Sequence, residues 1–148
     1  MAIRRILATG LLLAAAPAFA LDYLSVAEPA VLFDAPSAKA KPIFVIARDT
    51  PVERVVVVGA WVKVRDNKGD LVWIEKQSLS EKRTLMVRVD RAIVRSAADE
   101  KAATVFEAER DVVLDLLEVA PGGAAGWAKV KHRDGPSGYV KVAQVWGL

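Results

Sequence analysis

Four large aromatic residues stand where strand alternation sets them beside charge: Trp61, Trp73, Trp127 and Tyr139. In Trp61-Val62-Lys63-Val64-Arg65 the two valines share one face, and Trp61 shares the other with Lys63 and Arg65. In Trp127-Ala128-Lys129-Val130-Lys131 the ring again sides with the lysines. Trp73 likewise shares a side with Glu75, and Tyr139 with Lys141. Rings on paired strands, flanked by basic side chains, line a groove whose chemistry is recognition. Aromatic side chains give wide contact area at low entropic cost, which suits an extended peptide or a sugar-peptide polymer. The competing arrangement tucks the same rings over a core edge or into a contact between two halves of the chain.

Bond-making chemistry finds little support. His132 is the only histidine, it lies in the charged turn "KHRDG", and it lacks the partners that a triad or a zinc site requires. With no cysteine in the chain, a thiolate metal site, a cysteine nucleophile and a disulfide framework are excluded. Asp66, Asp70 and Asp134 fall in turns, where Asp bonds nearby backbone amides. Asp49 and Asp111 precede strands at equal positions, which also fits a turn role. No carboxylate pair is set apart by an apolar pocket that would raise a pKa, so a small envelope hydrolase is the weakest of the functional classes. The glycine-rich "PGGAAG" follows a strand but lacks the lysine and helix of a phosphate loop. No catalytic residue, metal or cofactor is expected.

The elements that hold the aromatics come in duplicate. "WVKVRDNKGDLVW" at 61–73 is echoed by "WAKVKHRDGPSGY" at 127–139. Sliding the chain by 62 brings residues 30–49 onto 92–111 with seven identities in twenty, and sliding by 66 brings 61–79 onto 127–145. The shift grows by four where the second copy reads "APGGAAG" and the first has only Gly59-Ala60, as expected of a lengthened loop tip. Each copy reads as short strands. Val55–Val58 is expected to be a buried run, followed by the hairpin Trp61–Arg65 and Leu71–Glu75. The second copy matches with 112–119, 127–131 and 138–142.

Residues 97–110 are rich in good helix formers, yet the matching segment 35–48 carries Pro36 and Pro42. Both segments are therefore expected to be long loops that end in strands at 43–46 and 105–108. The run 81–91 mixes charge signs and reads as a linker leading into a strand.

The first twenty residues are expected to be a secretory signal peptide. Arg4 and Arg5 precede an apolar run from Ile6 to Ala16, then Pro17 and Ala18-Phe19-Ala20 before Leu21. The run is shorter than the roughly 20 apolar residues of a spanning helix. Cleavage would leave an exported, soluble chain, periplasmic or secreted and not membrane-spanning. Of the 21 basic residues two would leave with the signal, so 19 face 18 acidic ones, a net charge of +1. That balance carries no nucleic-acid footprint.

The second copy resembles a bacterial SH3-type domain. The resemblance rests on Val94-Arg95-Ser96-Ala97, the long loop, the Asp-Val-Val strand, "GWAKV" at 126–130, the turn with Gly135, and "GYVKV" at 138–142. The first copy is similar, with Phe33-Asp34 where the family usually shows Arg-Ser, and Val72 where it shows glycine. The resemblance implies small five-stranded β-barrels without catalysis, binding peptides, cell-wall material or partner proteins outside the cytoplasm. The expected architecture is thus all-β: a signal peptide at 1–20, then SH3-like barrels at 21–84 and 85–148. The expected function is that of a cell-envelope binding module for cell-wall peptide or a partner protein. Candidate ligand-binding residues are Trp61, Trp73, Trp127, Tyr139 and Lys129, the second copy being the better candidate. The alternative is an assembly protein that uses its aromatic faces for contact between its domains or between copies of itself.

Overall fold

The computed structural model describes residues 21–148, so the expected signal peptide lies outside the described residues. The chain forms fourteen strands in two antiparallel sheets of seven, joined by short loops and three 3-10 turns. The first sheet holds β1 (Tyr23–Val26), β2 (Ala30–Phe33), β3 (Pro42–Ile46), β4 (Pro51–Val58), β5 (Trp61–Arg65), β6 (Leu71–Glu75) and β7 (Leu79–Ser80). The second repeats the plan with β8 (Thr84–Val87), β9 (Arg91–Arg95), β10 (Thr104–Glu109), β11 (Val113–Val119), β12 (Trp127–Lys131), β13 (Ser137–Lys141) and β14 (Val145–Trp146). Strand order is β3-β2-β6-β5-β4-β1-β7 in the first and β10-β9-β13-β12-β11-β8-β14 in the second, the same topology twice.

Four expectations need correction. Each copy has seven strands, where about five were expected. The additional pieces are β1 and β8, whose four residues are all buried and so show no alternation, and β7 and β14, only two residues long. Neither sheet closes into a barrel, because the outermost strands, β3 with β7 and β10 with β14, are not paired with each other. The segment read as a mixed-charge linker contains β8, a fully buried core strand.

Val55–Val58 does form a strand, but it is exposed, at 43%, 43%, 43% and 49%. The reason is the pairing. β1 covers β4 only at Pro51–Glu53, and beyond a bulge at Arg54/Val56 the rest of β4 pairs with β5 alone. Length and β-branching specify a strand here without specifying what covers it.

The alternation in the hairpins places Val62 and Val64, and in the second copy Ala128 and Val130, in two separate hydrophobic cores. The four-residue lengthening is seen as a 3-10 turn at Pro121–Gly123 between β11 and β12, where the first copy has only a tight turn at Gly59-Ala60. Residues 97–110 are non-helical and end in β10.

The halves touch through specific contacts. Tyr23 and Trp146 meet edge-on, 5.2 Å between centroids at 86°. Asp49 receives Lys82 at 3.3 Å and Arg133 at 3.0 Å, and Lys82 also reaches Asp115 at 3.0 Å. The Thr84 hydroxyl donates to the Asp49 carbonyl at 2.7 Å, and the Arg83 guanidinium lies 5.8 Å from the Tyr23 ring centre.

Candidate functional site

The hairpin register decides which side chains meet on the outer face. β5 and β6 align Lys63 with Trp73 and Trp61 with Glu75. β12 and β13 align Lys129 with Tyr139 and Trp127 with Lys141. Facing residues on paired strands hold their Cβ atoms about 5 Å apart, so each ring is given a charged neighbour. The Lys63 ammonium lies 5.4 Å from the Trp73 ring centre, and that of Lys129 lies 5.8 Å from the Tyr139 ring centre. Both distances are within the range of a cation–π contact. All four rings are half-buried, and the small or branched residues between them face the cores.

A third strand extends each face. β2 brings Phe33 opposite Trp73, and Phe33 meets Trp61 edge-on at 5.4 Å and 90°. The first copy thus carries a three-ring patch of Phe33, Trp61 and Trp73. Phe33 was not among the candidate residues. In the structure it directly follows the buried Leu32 and reaches the outer face through the pairing of β2 with β6. In the second copy β9 brings Arg95 opposite Tyr139.

The two faces differ in charge and in shape. Beside Trp61 lies an open depression of roughly 690 Å³, lined by Ala60, Trp61, Glu75, Lys76 and Gln77. Beside Trp127 the depression is roughly 200 Å³, lined by Ile93, Arg95, Trp127, Lys141 and Gln144. Thus Glu75 in the first copy is answered by Lys141 in the second. Lys141 pairs with Glu100, and its ammonium holds the Glu100 carboxyl below the usual carboxylate range. Arg95 donates to the Ala102 carbonyl at 2.9 Å, which ties the long loop over the second face.

The residues set aside as structural take structural places. His132 is exposed and lies edge-on to Phe106 at 6.1 Å. Asp66 accepts the amides of Lys68 and Asp70 at 2.9 and 2.8 Å, closing the β5–β6 turn. Asp49 and Asp111 have φ of 64° and 67°, a left-handed turn conformation that Asp tolerates better than most side chains. Among the described residues no group of three or more His, Cys, Asp or Glu side chains converges as a metal site would require, and no helix is long and apolar enough to cross a membrane.

Comparison with known proteins adds the family. The model of the bacterial SH3 domain matches twice, over residues 26–81 and 88–147. No curated protein matches the chain. Among solved structures, NlpC2 from Trichomonas vaginalis is similar at 15% identity with a TM-score of 0.37, covering 88% of this chain and 49% of that one. NlpC1 from the same organism is similar at 16% identity with a TM-score of 0.37, covering 93% and 50%. The chain therefore spans about half the length of these two structures.

Proposed function

The chain belongs to the bacterial SH3 domain family, as a tandem pair, and from that premise we propose that it is an exported, non-catalytic binding module of the cell envelope. Domains of this family are typically cell-wall-binding modules. The proposed ligand is cell-wall peptide, held in the grooves of Trp61 and Trp73 in one copy and of Trp127, Lys129 and Tyr139 in the other. A partner protein of the envelope is the related possibility, with the same extended-chain chemistry. The observation that carries the reading is the outward ring–lysine pairing at equivalent positions of both copies, next to an open depression at Trp61. Rings with one face toward solvent and a cation alongside suit a chain with apolar and carboxylate groups in alternation.

The test is co-sedimentation of the protein with purified cell wall. Wild type should pellet, and Trp61→Ala and Trp127→Ala should each reduce the bound fraction. Equal pelleting of all three, or none by wild type, would argue against cell-wall recognition.

One observation favours the assembly reading: the apolar strand end Val55–Val58 is open to solvent. It favours contact between copies of the chain through β4. The contact between the two halves uses Tyr23 and Trp146, not the groove rings. Light scattering over a concentration series separates the two readings.

A further inference from the structure

The contact between the halves is reciprocal, with one side altered. Adding 62 carries Glu28, Arg48 and Asp49 onto Asp90, Arg110 and Asp111, and adding 66 carries Asn67 onto Arg133. The equivalences hold in space. Arg48 pairs with Glu28 at 3.7 Å, as Arg110 pairs with Asp90 at 2.9 Å. The Asp49 amide donates to the Val26 carbonyl, as the Asp111 amide donates to that of Val87. Across the interface, the turn residue Arg133 reaches Asp49. In the opposite sense, the turn residue Asn67 lines a crevice with Asp111. Such mutual contact, each half offering the same two patches, is the pattern of a two-fold pair.

The two halves of this pattern are not in the same electrostatic state. Asp49 is neutralised by Lys82 and Arg133. At Asp111 the arginine's place is taken by Asn67, and the place of Lys82, shifted by 61 as β1 is from β8, is taken by Leu21. Among the described residues, Asp111 has no ion-pair partner. Neither has Arg88, which lines the same crevice and stands where the first copy has Ala27. The crevice holds about 250 Å³, with Met86 and the half-buried Trp146 as its apolar part. Arg110 also lines this space, but it is held by Asp90 and by the Arg88 carbonyl, so one carboxylate and one guanidinium are left without an ion pair beside the indole, and these define a complementary ligand.

We propose that this crevice is a second ligand site, separate from the aromatic grooves, and that it takes an amino-acid zwitterion. The ligand's ammonium sits at Asp111, repeating what Lys82 and Arg133 do at Asp49. Its carboxylate sits at Arg88, in the planar fork geometry that guanidinium offers. Its carbon skeleton lies against Trp146 and Met86. A free amino acid and the unlinked end of a diamino-acid residue in a peptide present the same chemistry.

Calorimetric titration of the purified protein tests this. The probes are free alanine of either hand, a short peptide bearing meso-diaminopimelate, and two capped controls, N-acetyl-alanine and alanine amide. At least one zwitterion should bind, and each cap should weaken binding tenfold or more. Binding by alanine assigns a free amino acid, and binding by the peptide alone assigns the diamino-acid end. Asp111→Asn and Arg88→Gln, both at exposed positions, should each cost tenfold or more. Asn67→Arg should supply the missing cation, abolish binding and raise Tm. The proposal is overturned if no zwitterion binds at millimolar concentration, or if binding is indifferent to Asp111, Arg88 and Asn67. Because the groove variants are read by sedimentation, either site can fail without the other.

Discussion

Arg133 places a guanidinium nitrogen 3.0 Å from a carboxylate oxygen of Asp49, spanning 84 residues of sequence and joining the turn of one SH3 copy to the turn of the other. Asp49 is largely buried while Arg133 is largely exposed, so solvent screens one end of the pair. A double-mutant cycle of Asp49→Asn and Arg133→Ala, read by urea unfolding, should give a coupling energy of about 0.5–1 kcal/mol. Asn is the appropriate replacement because it tolerates the positive φ. A coupling indistinguishable from zero would remove this pair from the joint.

Lys82 should make the joint sensitive to alkali. Its hydrogen bond to Asp115 is the largest influence; burial opposes it, the hydrogen bond to Asp49 adds to it, and the net effect holds its ammonium pKa above the ordinary 10.5. A group with a raised folded pKa contributes stability in full below its unfolded value and loses it as pH rises through the folded value. Tm should therefore be unaffected by this group below pH 10.5 and should fall above it. In Lys82→Met that component of the alkaline loss should be absent. Superimposable Tm profiles for the two proteins would contradict the assignment.

Gly138 should not accept a side chain. A Cβ there would lie 2.6 Å from Val94 Cγ1 and 2.7 Å from the Arg95 carbonyl oxygen. The second contact is with backbone and cannot be relieved by a rotamer change. Gly138→Ala should cost about 1–3 kcal/mol, as overpacked core positions do. Chemical denaturation measures it, and a neutral result would show that β9 and β13 separate more easily than their packing implies.

Tyr23 reports on the Trp146 contact. Burial, with a smaller contribution from Glu53, pushes its phenol above the ordinary 10.0. Trp146→Leu removes the edge-on ring and opens the phenol to water, so the tyrosinate absorbance should grow in at lower pH than in wild type. Because this variant changes core packing, a Tm loss should accompany the shift. A Tm loss with no spectral shift would place the cover over Tyr23 elsewhere.

The valine end of β4 should be dispensable for folding. Val57 is 43% exposed, and Val57→Lys should change unfolding free energy by less than about 0.5 kcal/mol. If copies of the chain meet through this strand, the same change should lower the apparent mass in light scattering. Unchanged mass from wild type to variant would exclude β4 as a self-contact.

Much of this molecule was readable from its residues, and the failures have a common cause. The two hairpins could be placed because Val62, Val64, Ala128 and Val130 alternate with rings and lysines, a period that only a half-buried strand imposes. Pro36 and Pro42 correctly outweighed the helix propensity of residues 97–110, because the repeat transfers the constraint from one copy to the other. β1 and β8 were missed because strands buried on both sides lose that period, and β8 also sits behind a charged run. Val55–Val58 was assigned to the interior because β-branching reports a strand and not its neighbours; the covering strand β1 simply stops short. Phe33 and Arg95 joined the faces through β2 and β9, which pair at long range with β6 and β13, and single-strand periodicity does not encode that pairing. The crevice at Asp111 was beyond reach, since it exists only where two copies meet.

A two-fold homodimer cannot alter one end of its contact alone, because every substitution appears twice. Fusing both partners into a single polypeptide lifts that restriction. Arg133 is free to serve as mortar while Asn67, its counterpart, leaves a gap, so a bond made at one end of the contact is absent at the other. Duplication in this chain is thus a means of escaping symmetry as much as of doubling the number of modules.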